Sequence, residues 1–239
     1  MKKAERIWEL DALRGLCIVC VVIVHLLFDL VYFAGLPLRF PPVYVFIQQN
    51  GGVLFVILSG LCATLGSRSL RRGAIVFGAA MLITAVTVLM ERLGLLDGTE
   101  IIRFGVLHLL GICMLLYPLF RRLPTPALGV VGVCFVVLGF FAAGTIVQTK
   151  LLFPFGFLYP GFSSGDYFPI FPHLGWFLLG SCLGRLLYAE KKTRLPGKAQ
   201  EFFLIRFLCF CGRQSLWIFL AHQPVCYGIL ELVLFLQNR

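Results

Sequence analysis

Apolar runs long enough to cross a bilayer recur along almost the whole chain, and this alone decides what it can fold into. Seven are read, at 12–33, 44–66, 73–90, 101–120, 126–147, 169–188 and 215–236. No stretch remains for a separate soluble domain. A mean hydropathy of +0.93 with only 13% charged residues excludes an ordinary soluble globule. In lipid the backbone must satisfy its own hydrogen bonds, so runs of this length become helices. The expected fold is all-α: a polytopic membrane helix bundle of about seven transmembrane helices, with residues 1–239 forming one domain.

Charge sets the orientation. Of the 21 basic residues, sixteen fall at the N-terminus or between spans two and three, four and five, and six and seven. The other side keeps Arg39, Arg92, Arg103, Lys150 and Arg239. The positive-inside rule therefore puts the N-terminus in the cytoplasm and the C-terminus outside. The net charge of +10 follows from topology. No basic patch with interleaved aromatics suggests nucleic acid. Span one is too long for a cleaved leader and no A-x-A site follows it. The nine cysteines lie mostly within spans as small hydrophobes. Cys17 and Cys20 form a C-x-x-C without further ligands, so no metal is expected.

Polar groups inside these runs carry the chemistry. Arg14 and His25 lie eleven residues apart in span one, about three helical turns, hence on nearly one face and roughly 16 Å apart along the axis. Asp29 follows His25 by four and shares that face. Arginines (Arg14, Arg68, Arg71, Arg72, Arg185, Arg213) gather toward the cytoplasmic side, where they suit an anionic, phosphate-bearing molecule. Three histidines, His25, His108 and His173, gather in the outer half. A histidine oriented by a carboxylate suits general base catalysis, with Asp29 fixing the tautomer of His25. The plainer alternatives are that Arg14 snorkels to headgroups, that His108 bonds a neighbouring helix, and that His173 and His222 satisfy carbonyls freed by Pro172 and Pro224. We favour the last for those two. The long outer loop, 148–168, is too apolar to be a solvated coil and is expected to fold as a lid carrying Asp166 and Tyr167. Residues 202–208 are expected to lie along the inner membrane surface. Gly180 and Gly184 form a G-x-x-x-G for close helix packing.

Five blocks are familiar: Arg6-Ile-Trp-Glu-Leu-Asp-Ala-Leu-Arg-Gly15, Leu54-Phe-Val-Ile-Leu-Ser-Gly60, Arg103-Phe-Gly-Val-Leu-His-Leu-Leu-Gly111, Asp166-Tyr-Phe-Pro-Ile-Phe-Pro172 and Gly212-Arg-Gln-Ser-Leu-Trp-Ile-Phe-Leu-Ala-His-Gln-Pro224. Together they resemble the bacterial branch of the heparan-alpha-glucosaminide N-acetyltransferase catalytic-domain family. The Arg-x10-His pattern also resembles the membrane acyltransferases that O-acylate bacterial surface polysaccharides. The resemblance implies transfer of an acyl group, usually acetyl, from cytoplasmic acyl-CoA to a sugar or glycan outside, in the bacterial inner membrane. Carried over, it makes Arg14 a donor-binding residue and His25 the acyl-transfer residue.

The combined expectation is an acetyl-CoA-dependent transmembrane acetyltransferase. Arg14 would hold the CoA phosphates, helped by Arg213 or by Arg68 and Arg72. His25, oriented by Asp29, would act as base, through direct transfer or an acyl-histidine. His108 would stabilise the oxyanion or contact the acceptor, and Asp166, Tyr167 and His173 would contact the sugar. Membrane lipids surround it, and a homodimer is compatible with a seven-span bundle. Two other classes remain at this stage. One is a carrier or flippase using His25 and Asp29 as a proton relay, the other a haem-binding membrane protein.

Overall fold

The computed structural model describes residues 6–32, 37 and 39–237, and among these every extended element is helical. Eight α-helices follow in order: α1 (Trp8–Tyr32), α2 (Pro42–Leu65), α3 (Ser69–Arg92), α4 (Val106–Phe120), α5 (Thr125–Ala143), α6 (Ile170–Leu187), α7 (Phe203–Arg213) and α8 (Ser215–Gln237). Short 3-10 turns at Lys150–Phe155 and Gly197–Glu201 lie in the two longest connections. Lys2, Lys3 and Arg239, used above for orientation, lie outside the described residues, as does Phe33 at the end of the first expected span.

Each expected run contains a helix, but not all are long enough to span. Five helices, α1, α2, α3, α5 and α6, have the length and apolarity to cross a membrane, and a bent α7–α8 pair would make six. Against the expected seven or so, five or six helices thus qualify by length and composition, and α4 is a shorter apolar helix beside them. The shortfall lies at span four. Its expected start, 101–105, is extended rather than helical because its backbone bonds sideways to the loop 148–168. Gly165 N–H donates to the Ile101 carbonyl at 3.2 Å and Phe168 N–H to that of Phe104 at 2.9 Å. That leaves α4 only 15 residues, about 22 Å.

The chain divides into two compact units, 1–55 with 190–239, and 56–189. In the first, α1 packs along α7 and α8. The α1–α7 contact is backbone on backbone: a Cβ at Gly15 would run into the Leu208 carbonyl, and one at Gly212 into the Asp11 carbonyl. Trp8, Ala12 and Cys209 bury the remainder of that seam. Residues 202–208, expected as a surface-lying segment, enter α7, which turns by 87° into α8. Its outward side carries Phe203, 84% exposed, with Leu204, Phe207 and Phe210.

In the second unit α5 packs along α6 and α3 along α4. Pro124 and Pro126 flank the start of α5, where a missing N–H costs nothing. The expected small-residue packing is present: Gly180 lies against the Ile57 carbonyl and Gly184 against Leu61. Ser181 adds a hydrogen bond to the Gly60 carbonyl at 3.0 Å. Phe177, Leu178, Leu109 and Leu128 fill the core. The outer faces carry Leu82, Leu89, Val130, Phe140 and Phe141, an exterior that suits lipid. The long loop 148–168 is folded on itself. Phe153, Tyr159, Phe162 and Tyr167 form an aromatic cluster, and the Tyr167 hydroxyl donates to the Phe153 carbonyl at 2.6 Å.

Candidate functional site

The polar residues of α1 meet α8 at three levels. Arg14 Nη2 donates to Ser215 Oγ at 2.8 Å. The His25 and His222 rings meet edge to face, centroids 5.0 Å apart and planes at 64°. Gln223 Nε2 donates to Asp29 Oδ1 at 3.2 Å and lies 3.5 Å from Oδ2. The helical repeat explains the register. Arg14, His25 and Asp29 recur on one face of α1, while Ser215 and His222, seven residues apart, are stacked on one face of α8. The levels run in the same order along both helices, so α1 and α8 point the same way.

Two points differ from the reading of the sequence. Asp29, 1% exposed, takes the Gln223 amide as its hydrogen-bond partner, not His25. His25 instead faces a second imidazole. Sharing a helix face brings His25 and Asp29 near each other but does not bond them; the donor to Asp29 comes from the neighbouring helix. Sequence reasoning missed Ser215 and Gln223 and assigned His222 a structural part. The seven-residue spacing of Ser215 and His222 was the available signal.

The bend before α8 also matters. It puts Arg213, exposed at the end of α7, two residues from the serine that binds Arg14. Two guanidinium-bearing residues thus flank the N-terminus of α8, where unpaired N–H groups favour negative charge. A phosphate-bearing molecule fits this donor set.

The second unit holds the remaining candidates at the N-terminus of α4. Gly105 N–H donates to His108 Nδ1 at 3.2 Å, so His108 carries its hydrogen on Nε2, which reaches Thr84 Oγ1 at 3.1 Å. Thr84 Oγ1 in turn donates to the Ile102 carbonyl at 2.7 Å. Both ring nitrogens of the buried His108 are therefore engaged in holding the turn. Asp166 Oδ2 accepts from Val106 N–H at 2.8 Å, a carboxylate at a helix start. Burial outweighs that bond and pushes the Asp166 carboxyl up to about 6. Burial likewise raises the Tyr167 phenol to about 12. His173 Nδ1 donates to the Pro169 carbonyl at 2.8 Å. Arg68 and Arg72 are exposed at the start of α3. Among the described residues no group of three or more His, Cys, Asp or Glu is placed to hold a metal ion.

The structure therefore brings Arg14, His25, Asp29 and Arg213 into one unit, and gathers His108, Asp166 and Tyr167 around one helix start in the other. A guanidinium end and an imidazole level, joined by two parallel apolar helices, can hold an anionic tail and handle a proton further along the same helices.

Comparison with known proteins gives the same direction. No curated protein and no solved structure matches the chain. The family description "Heparan-alpha-glucosaminide N-acetyltransferase, catalytic" matches residues 6–224, from ahead of α1 into α8. With nearly the full chain inside that match, and with a helical bundle of membrane-spanning length, the protein belongs to the heparan-alpha-glucosaminide N-acetyltransferase catalytic family, a family of transmembrane acetyltransferases.

Proposed function

We propose that the protein moves an acetyl group from cytoplasmic acetyl-CoA to a hydroxyl or amine of a sugar or glycan on the far side of a bacterial inner membrane. The observation that carries this reading is the polar stack along α1 and α8, with Arg14 and Ser215 at one end and His25 and His222 further along. Arg14 and Arg213 hold the donor's phosphates at the α8 N-terminus. His25 handles the proton of the transfer. Asp29, tied to Gln223, keeps that level of the two helices in register. Asp166 and Tyr167 shape the loop on the acceptor side, and Asp166 retains a second carboxylate oxygen for a sugar hydroxyl. His108 acts by holding the turn that carries them, and His173 supports the start of α6.

In the reaction the acceptor oxygen or nitrogen attacks the thioester carbon, the C–S bond breaks, and the acceptor's proton finishes on the CoA thiol. Buried donors aimed at developing charge, and a positioned base, supply the rate. A haem between His25 and His222 does not fit, because rings in direct edge contact at 5.0 Å leave no room for a porphyrin between them.

The test is release of free CoA from acetyl-CoA by purified protein in nanodiscs, with and without added glycan acceptors. Wild type should turn over. His25→Ala should lose about 100-fold or more in kcat. Arg14→Ala should instead raise KM for acetyl-CoA by about 10-fold or more, the worth of a charged hydrogen bond. Absence of both binding and turnover by wild type, with crude envelope glycans present, would overturn the proposal and favour a carrier.

A further inference from the structure

Two buried polar atoms on consecutive residues of α8, His222 and Gln223, have no partner. His222 Nδ1 lies 2.6 Å from the Phe219 carbonyl. A carbonyl only accepts, so Nδ1 carries the hydrogen and Nε2 presents a bare lone pair. That Nε2 is buried and unpartnered. The same holds for Gln223 Oε1. Its orientation follows from Asp29, since a carboxylate needs the amide N–H, which turns the oxygen away. Buried acceptors without a donor are rare and costly. Here two occur on consecutive residues of α8, one at the level of His25 and the next at the level of Asp29, and the His222 side chain is only 8% exposed. A water would need space and further polar partners. A molecule bearing O–H or N–H donors meets the demand directly.

We infer that His222 is a second catalytic residue of this site: its Nε2 receives the proton of the acetyl acceptor, while Gln223 Oε1 takes another donor of the same polyhydroxyl or amino-sugar molecule. This rests on the acetyltransferase reading above and assigns its acceptor end. The acceptor's O–H or N–H points at Nε2. As its oxygen or nitrogen bonds to the thioester carbon, the proton moves to Nε2 and the C–S bond breaks. The proton then passes to His25 once the two rings, which here meet edge to face, turn nitrogen to nitrogen, and from there to the departing sulfur. Acetylated acceptor and CoA thiol leave, and both imidazoles are neutral again. The Nδ1 bond to Phe219 fixes the ring for this task, as a backbone carbonyl commonly does for a catalytic imidazole. The reading of His222 as a filler for carbonyls near Pro224 accounts for one of its nitrogens and leaves the other free for chemistry.

The experiment measures CoA release from acetyl-CoA in nanodiscs, with water and with glucosamine as acceptors. His222→Asn keeps a side-chain N–H where Nδ1 sits and removes the base. It should melt near wild type, bind acetyl-CoA normally and lose about 100-fold or more in kcat. His222→Gln, with a polar atom in the place of Nε2, should be equally slow. Because the two histidines pass one proton, His25→Ala/His222→Asn should be no slower than the worse single variant. A His222→Asn kcat within about threefold of wild type, or single-variant losses that multiply in the double variant, refutes this inference while the acetyltransferase reading stands. Failure of wild type to release CoA refutes both.

Discussion

Replacing Gly15 by alanine adds one methyl group at the tightest seam of the first unit, and the structure specifies what it meets. The new Cβ would fall within van der Waals contact of the Leu208 carbonyl, and only 3.0 Å from Gly212 N. These are backbone atoms, so no rotamer change relieves the clash, and α1 and α7 must separate. Inserting a methyl into a packed core costs about 1–3 kcal/mol. With no side chain able to yield, the upper end applies, about 3 kcal/mol. For a chain of this size each kcal/mol moves the melting midpoint by roughly 2–4 °C, so the midpoint should fall by about 6–12 °C. Gly78, in the middle of α3, is the control: a Cβ there meets nothing within 4 Å. Gly78→Ala should hold or raise the midpoint, by up to about 1 kcal/mol of helix preference. Both variants would be compared with wild type by thermal unfolding in detergent, following tryptophan fluorescence. A Gly15→Ala midpoint within about 2 °C of wild type would show that α1 and α7 do not pack backbone to backbone.

Asp166 gives a pH signature. Its folded pKa, about 6, lies above the ordinary 3.8, so the folded state binds the proton more tightly than the unfolded chain. The stabilisation is full below about pH 4 and fades as pH rises to about 6, by at most roughly 3 kcal/mol. Melting midpoints at about pH 4.5 and 7 should therefore converge in Asp166→Asn relative to wild type, and an unchanged difference would contradict the assignment. Glu9, buried near the start of α1, accepts from Thr193 Oγ1 and from Arg194 N–H, both at 2.7 Å. Glu9→Ala should release the segment between α6 and α7 and speed tryptic cleavage at Lys191, Lys192 or Arg194 several-fold, read by gel and mass spectrometry.

The helices were legible because lipid imposes one solution on a long apolar run. Their ends were less so. Nothing local in Ile101, Ile102 and Phe104 opposes a helix; it is the pairing with Gly165 and Phe168, some sixty residues away, that holds them extended. The site shows the same limit. Arg14 and His25 stand out because charge and imidazole are costly within one apolar run. Gln223 does not, since an amide beside a proline looks unremarkable until Asp29 is seen against it. His222 was weighed by its neighbour in sequence, Pro224, whereas its meaning comes from its neighbour in space, His25. Cross-helix partners leave no mark in a single sequence beyond spacing, and spacing alone admits several partners.

The shared direction of α1 and α8 also constrains how the chain is threaded. Two crossing helices that run the same way must be separated by an odd number of crossings, or the second would enter from the wrong face. Between them lie four helices of full spanning length, α2, α3, α5 and α6. Four is even, so with α1 and α8 both crossing, a fifth passage is required. An α7 that turns by 87° into α8 is badly placed to provide it. The passage falls to α4, shorter than any of those four, whose 15 residues reach about 22 Å of a hydrocarbon layer near 30 Å. The extended residues just ahead of α4, clamped by the loop 148–168, then carry the chain from the end of this short helix to the membrane surface. On this count the loop 148–168 caps the end of the one short crossing.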